Sequence, residues 1–150
     1  MIDPHDGRPG PRSLERIVVA YDGSPASVRA AEVGISLAVA LRGRLWFVHA
    51  HRRGASVAEP LTEEASTAPL RAVARSLESF VAHASARGVV AEAVVREGDP
   101  ADILRQVVEV TGAGLAVVGT RGHGAAGRLL LGSVSAKVVG FGSVPVIVVP

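Results

Sequence analysis

Residues 17–27 of the chain read IVVAYDGSPAS, and this stretch sets its fold class. The apolar run at residues 17–21 shows no polar alternation, which is typical of a parallel strand buried on both faces. The Asp-Gly-Ser-Pro that follows is turn chemistry. Ser24 can accept hydrogen bonds from the free N–H groups of a helix, and Pro25 suits the first helical position. The stretch therefore predicts a buried strand that turns at once into a helix.

The same pattern recurs to the end of the chain, and Gly98, Asp99 and Pro100 repeat the turn, the cap and the proline. We expect Gly43 and Gly88 to end the first two helices. The third strand alternates apolar and polar residues, which predicts an edge of the sheet. Strands that alternate with helices form a parallel sheet covered on both faces, here a single-domain α/β fold. The predicted strands are residues 17–21, 45–50, 89–95, 115–119 and 144–149, and the predicted helices cover about 25–41, 69–87, 100–111 and 133–140.

The composition excludes several classes of protein. A length of 150 residues fits one domain, and 48% hydrophobic with 20% charged residues is typical of a globular chain. A formal net charge of +2 indicates no polyanionic partner, and 3% aromatic residues are too few for the stacking platforms of single-stranded nucleic-acid binders. The absence of cysteine excludes disulfides, thiolate nucleophiles and cysteine-based metal sites. We therefore expect no nucleic-acid partner.

The N-terminal segment differs from the rest in composition. Residues 1–14 are rich in proline, glycine and charge, and we expect a disordered tail there, in front of a domain at residues 15–150. No apolar run approaches the ~20 residues of a membrane span. The segment also lacks the apolar centre of a signal peptide. We therefore expect a cytoplasmic protein with no membrane partner.

Residues 119–133, GTRGHGAAGRLLLGS, carry the densest chemical signal. They contain GxGxxG, but a dinucleotide site of that type needs an acidic residue further along the chain, and none follows Glu109. The phosphate loop GxxxxGK[ST] is excluded because the only lysine, Lys137, lies inside the predicted last helix. An anion site built from backbone N–H groups and that helix start remains, to which Ser133 could add a hydroxyl and Arg121 and Arg128 could add charge. The alternative is a flexible surface connection in which Ser133 only caps the helix.

The spacing Gly119-x2-Gly122-x9-Gly132-Ser133 matches without a gap the G-2x-G-9x-G-[S/T] signature of the nucleotide-binding universal stress proteins. The opening IVVAYDGSPAS and the segments FVHA, EGDPADIL and VPVIVV also resemble that family in order and spacing. The resemblance covers about residues 16–150. It implies a five-stranded, Rossmann-like parallel sheet in the order 3-2-1-4-5, with ATP across the ends of the first, second and fourth strands, and usually a homodimer.

Position by position, the resemblance implies a set of contacts to ATP and its Mg²⁺. Asp22 would contact the ribose or the metal–phosphate region, Ala20 would line the adenine, and the backbone at Ala50 would contact the adenine edge. For His123, contact with solvent alone is equally open. One departure is Gly114, where the family often has an acidic residue; it lies at the other end of the fourth strand and bears on local stability. The residues that would flank the nucleoside or hold the phosphates are Val118, Gly119, Arg121, Gly122, His123, Gly132, Ser133 and Val134.

Other polar residues have plainer interpretations. Asp22 can simply form the turn before the first helix. His49 and His51 share one face of the second strand and could bind a metal, but no third ligand is evident, so we predict no metal site and interpret them as partly buried histidines. The charged pairs at residues 52–53 and 63–64 fall in a predicted loop and are interpreted as solvated.

These observations favour an ATP-binding regulatory protein for stress survival, with little or no ATP hydrolysis and a homodimer through the C-terminal edge strand. Natural edges are usually protected by charge, and residues 144–149 carry none. Two alternatives stay open. One is a slow ATP-hydrolysing enzyme, although no general base is evident apart from Asp22 and His123. The other is a dimeric interaction module without nucleotide.

Overall fold

The computed structural model describes residues 12–52, 63–120 and 131–150, and its strands and helices alternate along the chain. Their bounds are β1 Ser13–Ala20, α1 Pro25–Leu41, β2 Arg44–His51, α2 Glu63–Ala86, β3 Val90–Glu97, α3 Pro100–Thr111, β4 Ala113–Gly119, α4 Ser133–Gly140 and β5 Val146–Val149.

The five strands form one parallel sheet in the order β3-β2-β1-β4-β5. The predicted order, the parallel pairing and the edge position of β3 are confirmed. Strand side chains alternate between two apolar cores: Ile17 and Val19 pack on the side of α1 and α2, whereas Val18 packs on the side of α3 and α4. Because both faces are covered, β1 is apolar without interruption, as its sequence predicts.

The start of β1 differs from the prediction. The strand begins at Ser13, inside the segment assigned to the tail, because Ser13 pairs with Ala113 at the start of β4. This pairing requires Gly114, where a Cβ atom would lie 2.6 Å from the carbonyl carbon of Ser13 and 2.8 Å from the nitrogen of Leu14. The glycine that departs from the family pattern therefore permits β1 and β4 to approach. Residues 1–11 of the predicted tail lie outside the described residues.

The bounds of three other elements, β2, α2 and β5, also differ from the prediction. The strand β2 continues to His51, one residue past its predicted end, because it pairs with β3 through to Glu97. The helix α2 begins at Glu63, six residues before its predicted start at Pro69, so this proline lies inside the helix. Residues 63–64, predicted in a loop, are thus helical. The strand β5 begins at Val146, two residues late.

The helix ends follow the predicted chemistry with one exception. Ser24 caps α1 by accepting from the N–H of Ser27 at 3.2 Å, and Pro25 occupies the first turn. At the other end, Arg42 adopts the left-handed conformation that closes α1, with φ 54°, so the prediction that Gly43 performs this role is wrong. A non-glycine residue in that conformation costs about 1 kcal/mol or more. Gly88 has φ 79° after α2, as expected.

Candidate functional site

The carboxyl ends of β1, β2 and β4 and the amino end of α4 meet at one edge of the sheet. The strand order reverses between β1 and β4, which is where open α/β sheets hold ligands. Backbone hydrogen bonds fix α4 there: the N–H of Thr120 donates to Val149 at 2.8 Å, and the N–H of Gly132 donates to the carbonyl of Thr120 at 2.6 Å. The start of α4 is therefore held directly beside the end of β4.

Four of the predicted site residues lie in one apolar cluster at this edge. Ala20, Ala50 and Val134 are half-buried and pack against the core on the α3 and α4 side, of which buried Val118 is a member. These residues come from three strands and a helix that are far apart in sequence. The structure thus places three residues predicted to contact the nucleoside, Ala20, Ala50 and Val118, in the same cluster as Val134, which is predicted to hold phosphates.

Gly119 ends β4 at the point where that strand passes the first turn of α1. A Cβ atom on Gly119 would lie 2.8 Å from the carbonyl carbon of Ala26 and 3.0 Å from the nitrogen of Ser27. These are backbone atoms, which cannot rotate away as a side chain can. The first glycine of the signature is therefore needed for the packing of β4 against α1, in addition to any ligand contact.

Asp22 is exposed and forms the turn before α1. Its Oδ1 accepts from the N–H of Ser24 at 2.9 Å, and its own N–H donates to the hydroxyl of Ser27 at 3.3 Å. The turn-forming role that sequence chemistry left open is confirmed. That role engages one carboxylate oxygen and holds the side chain at the carboxyl end of β1.

The amino end of α4 differs from those of α1 and α3. Its cap residue is Gly132, and no side chain in the described part of the chain caps it, whereas Ser24 and Asp99 cap α1 and α3. Ser133 is exposed in the first turn, so the alternative in which Ser133 is the cap residue is wrong. The first N–H groups of a helix without a cap carry partial positive charge and favour an anion.

Three predicted site residues cannot be placed. Arg121, Gly122 and His123 lie outside the described residues, as does Arg128. Gly132, Ser133 and Val134, from the second half of the signature, lie at the start of α4 as described above.

An ionic cluster of Arg52, Asp99 and Lys137 lies across the same edge, and sequence analysis missed it. One carboxylate oxygen of Asp99 caps α3, while the other is 2.5 Å from the guanidinium of Arg52 and 3.5 Å from Nζ of Lys137. The cluster joins the end of β2, the start of α3 and the middle of α4. The sequence predicts Asp99 as the cap of α3 but gives Arg52 only as a solvated charge. The signal that could have predicted their ion pair is the parallel strand order, because it places the end of β2 beside the start of α3.

The cluster perturbs the Asp99 carboxyl. Partial burial by itself would raise its pKa, but the hydrogen bond from Arg52, the backbone N–H of Asp102 and the charge of Lys137 together lower the pKa below its ordinary value. The charged form of Asp99 is therefore favoured in the folded protein, and its proton is bound more weakly than in the unfolded chain.

This lowered pKa predicts a pH-dependent contribution to stability. Because the folded pKa is depressed, the contribution is fully present above the unfolded pKa of about 3.9 and disappears as the pH falls through the folded value. We expect Asp99→Asn, which can still cap α3, to be less stable than the parent at pH 7, and this difference to shrink when the pH is lowered to ~3, below the unfolded pKa. Asp99→Ala should lose the cap as well, about 1 kcal/mol at both pH values. Urea unfolding of the three proteins at the two pH values tests this, and an Asn–parent gap that is undiminished in acid would contradict it.

The histidine pair lies on the other face of β2 from Ala50. The Nδ1 atom of His49 is 2.9 Å from the carbonyl oxygen of Tyr21, and the rings of His49 and His51 are stacked with centroids 6.3 Å apart. Nδ1 of His51 is buried, and the described atoms offer it no hydrogen-bond partner. No three His, Asp or Glu side chains among residues 12–52, 63–120 and 131–150 are grouped so that they could hold a metal ion.

Each of the described helices is too short or too polar for a membrane span. Within the part of the chain that the structure covers, none combines the length and the apolar character that crossing a bilayer requires.

Comparison with known proteins matches this architecture to a family. The model of the universal stress protein family aligns with residues 13–150, nearly the whole chain. The chain belongs to the universal stress protein family. The start of the match coincides with Ser13, the first residue of β1, rather than with the predicted boundary at residue 15.

Individual universal stress proteins resemble the chain over most of its length. A universal stress protein of Thermus aquaticus is 41% identical over 139 residues, which cover 91% of this chain and 98% of the relative. A universal stress protein solved in complex with cAMP is 31% identical with a TM-score of 0.67, over 91% of this chain and 97% of that one. A family member from Arabidopsis thaliana, solved with AMP bound, shares the fold with a TM-score of 0.66 at 24% identity, over 89% and 90% of the two chains.

Proposed function

We propose that this universal stress protein binds ATP with Mg²⁺ and acts as a nucleotide-dependent regulator of stress survival in the cytoplasm. The observation that carries the proposal is the uncapped start of α4 beside the apolar cluster at the point where the strand order reverses. The start of α4 supplies N–H donors for phosphate, and the apolar cluster supplies a surface for the adenine base. The relative solved with cAMP, at 31% identity, supports an adenine nucleotide as the ligand class.

In this proposal each part of the edge has one task. The adenine lies against Ala20, Ala50 and Val118, and Asp22 approaches the ribose or the metal. The phosphates lie at the signature, whose contributing residues are Gly119, Arg121, Gly122, His123, Gly132, Ser133 and Val134. Mg²⁺ bound with the nucleotide would neutralise phosphate charge, and the residues near it would orient that complex.

Hydrolysis should be slow or absent in this site. Phosphoryl transfer needs a positioned base or water-orienting group in addition to charge neutralisation. Asp22 is the candidate for such a base among the described residues, but one oxygen of its carboxylate accepts a hydrogen bond from the Ser24 N–H, which holds the side chain in the turn. A phosphate-release assay in which Asp22→Asn abolishes brisk turnover would favour the enzyme alternative.

The test of nucleotide binding compares the two glycines at opposite ends of α4, the cap residue Gly132 and the last helical residue Gly140. Gly132→Val places a branched side chain where the phosphate would approach, so we expect ATP affinity to fall more than tenfold, or about 1.4 kcal/mol, from a Kd near ~1 μM. Gly140→Val at the other end of the helix is the control, because a Cβ atom there meets nothing within 4 Å. Isothermal titration calorimetry with ATP, AMP and cAMP measures the affinities and ranks the nucleotides.

Two calorimetric results would refute the proposal. Absence of saturation at millimolar ATP would refute nucleotide binding altogether and favour the interaction module. Equal affinities for Gly132→Val and Gly140→Val would show that ATP binds elsewhere. Mass spectrometry of nucleotide released from the purified protein identifies the natural ligand.

We also propose that the protein forms a homodimer through β5. This strand lies at an edge of the sheet, where unpaired N–H and C=O groups favour pairing with another chain. Val139 in α4 and Phe141 just after this helix are 43% and 37% exposed, which is apolar surface that a second copy would cover. A two-fold axis that pairs the two β5 strands antiparallel satisfies both features.

A paired substitution tests this dimer. Val146→Lys with Val148→Lys places like charges close together across the axis and should shift the protein to monomer at tens of micromolar. The matched control is Val90→Lys with Val95→Lys on β3, the opposite edge, where both valines are exposed. Sedimentation equilibrium measures the masses, with circular dichroism confirming that each variant folds. A parent protein that is itself monomeric would overturn the dimer.

A further inference from the structure

A cleft of about 340 Å³ lies at the opposite edge of the sheet from the proposed nucleotide site. It opens between the carboxyl ends of α1 and α2, where the chain enters β2 and β3. Three arginines line it, Arg42, Arg44 and Arg87, together with half-buried Val39 and the buried residues Ala38 and Val89. We call these six residues the arginine cleft.

The arginine cleft carries positive charge that the described chain leaves uncompensated. No Asp or Glu among the described residues lines it. Arg44 is paired at 2.8 Å with Glu92, and its guanidinium lies 5.4 Å from the centre of the Trp46 ring. Arg42 and Arg87 are exposed, and neither forms an ion pair within residues 12–52, 63–120 and 131–150. Arg42 and Arg87 therefore line the cleft without a carboxylate partner among the described residues.

The backbone at Arg42 is the second observation. Each of the four described helices is followed by a left-handed residue, which is Gly88 after α2, Gly112 after α3 and Gly142 after α4. In α1 the same position is Arg42, the one positive-φ residue other than glycine among those described. Glycine would close the helix without strain. An arginine in this position is a backbone outlier, of the kind that persists where its side chain has a use.

Helix termini alone do not account for the three arginines. The carboxyl ends of α1 and α2 carry partial negative charge, which favours nearby cations. That gain is modest at an exposed position and is offset at Arg42 by the strain of its left-handed backbone. Stability thus provides no clear reason to prefer Arg42 over glycine, whereas recognition of an anion by Arg42 together with Arg87 does.

We propose that the arginine cleft binds a small organic anion, with a phosphate or carboxylate head held by Arg42 and Arg87 and an apolar body against half-buried Val39. The volume is in the range of small-molecule sites, about 300–1,000 Å³. The absence of lining carboxylates among the described residues excludes a cation. The site is separate from the nucleotide edge and does not depend on ATP binding.

Phenyl phosphate, benzoate and inorganic phosphate are suitable probes for the full chain. The first two distinguish a phosphate head from a carboxylate head, and the third measures the head alone. Calorimetry measures the affinity for each probe. We expect saturable binding that is at least tenfold weaker in Arg42→Gly and in Arg87→Ala. Arg42→Gly should fold at least as well as the parent, because glycine relieves the strained backbone.

The matched control is Arg71→Ala, which removes the same charge from the exposed surface of α2, outside the cleft. Its affinity should stay within twofold of the parent, and saturating ATP should not displace the probe. No saturable binding of any probe would overturn the proposal. An equal loss of probe affinity in Arg71→Ala would also overturn it, because that result would show a general effect of charge. Displacement of the probe by ATP would overturn it as well, because the probe would then bind at the nucleotide edge.

Discussion

Replacing Phe47 by alanine is expected to lower the free energy of unfolding by about 3–5 kcal/mol, the range for a fully buried phenylalanine. Phe47 lies in β2 with no exposed surface, and its ring centre is 5.6 Å from that of Phe80 in α2. The strands and helices around it are fixed by backbone hydrogen bonds, so the cavity can close only in part. Because small domains are stable by only about 5–15 kcal/mol, this loss leaves a marginal protein.

Two further variants make the Phe47 result specific. Phe47→Leu retains most of the apolar volume and should lose much less stability than alanine. Val110→Ala in α3 is the surface control: this side chain is 80% exposed, and its truncation should change stability by no more than about 0.5 kcal/mol. Urea unfolding measures all three variants. Similar losses for Phe47→Ala and Val110→Ala would contradict the core position of Phe47.

Adding one methyl group at Gly119 should impair both stability and nucleotide binding. In Gly119→Ala the new Cβ atom would meet Ala26 and Ser27 within 2.8–3.0 Å, so α1 must move away from β4. We expect a loss of about 1–3 kcal/mol in the free energy of unfolding, as for overpacked cores. The movement also displaces the turn that holds Asp22 and alters the end of β4, so ATP affinity should fall at least tenfold, or about 1.4 kcal/mol.

Gly140→Ala provides the comparison for this second prediction. Nothing lies within 4 Å of a Cβ atom at that position, and alanine is the better helix former by up to about 1 kcal/mol. We therefore expect parental or slightly higher stability and parental ATP affinity. Urea unfolding and calorimetry provide the two measurements. A Gly119→Ala variant with parental values in both would show that β4 and α1 are not packed as described.

The sequence by itself determined the features that depend on short-range chemistry. The uninterrupted apolar run of β1, the Ser24 cap with Pro25 and the bounds of α4 at residues 133–140 all follow from neighbouring residues, and the structure confirms them. The alternation of strands with helices predicts a parallel sheet, and the strand order is what the family resemblance implies; the structure confirms both. Periodicity and capping act within a few residues, so one chain segment contains the information.

The tertiary structure alone decided the features that need two distant segments. The strand β1 reaches back to Ser13 because β4 pairs with it and Gly114 admits the approach, although the local composition predicts a tail. Asp99 meets Arg52 and Lys137 only because β2, α3 and α4 converge at one edge. The arginine cleft likewise joins the end of α1 to the end of α2. Strand length and ion pairing are set by the partner across the sheet or cleft, and the residues of one segment carry no record of that partner.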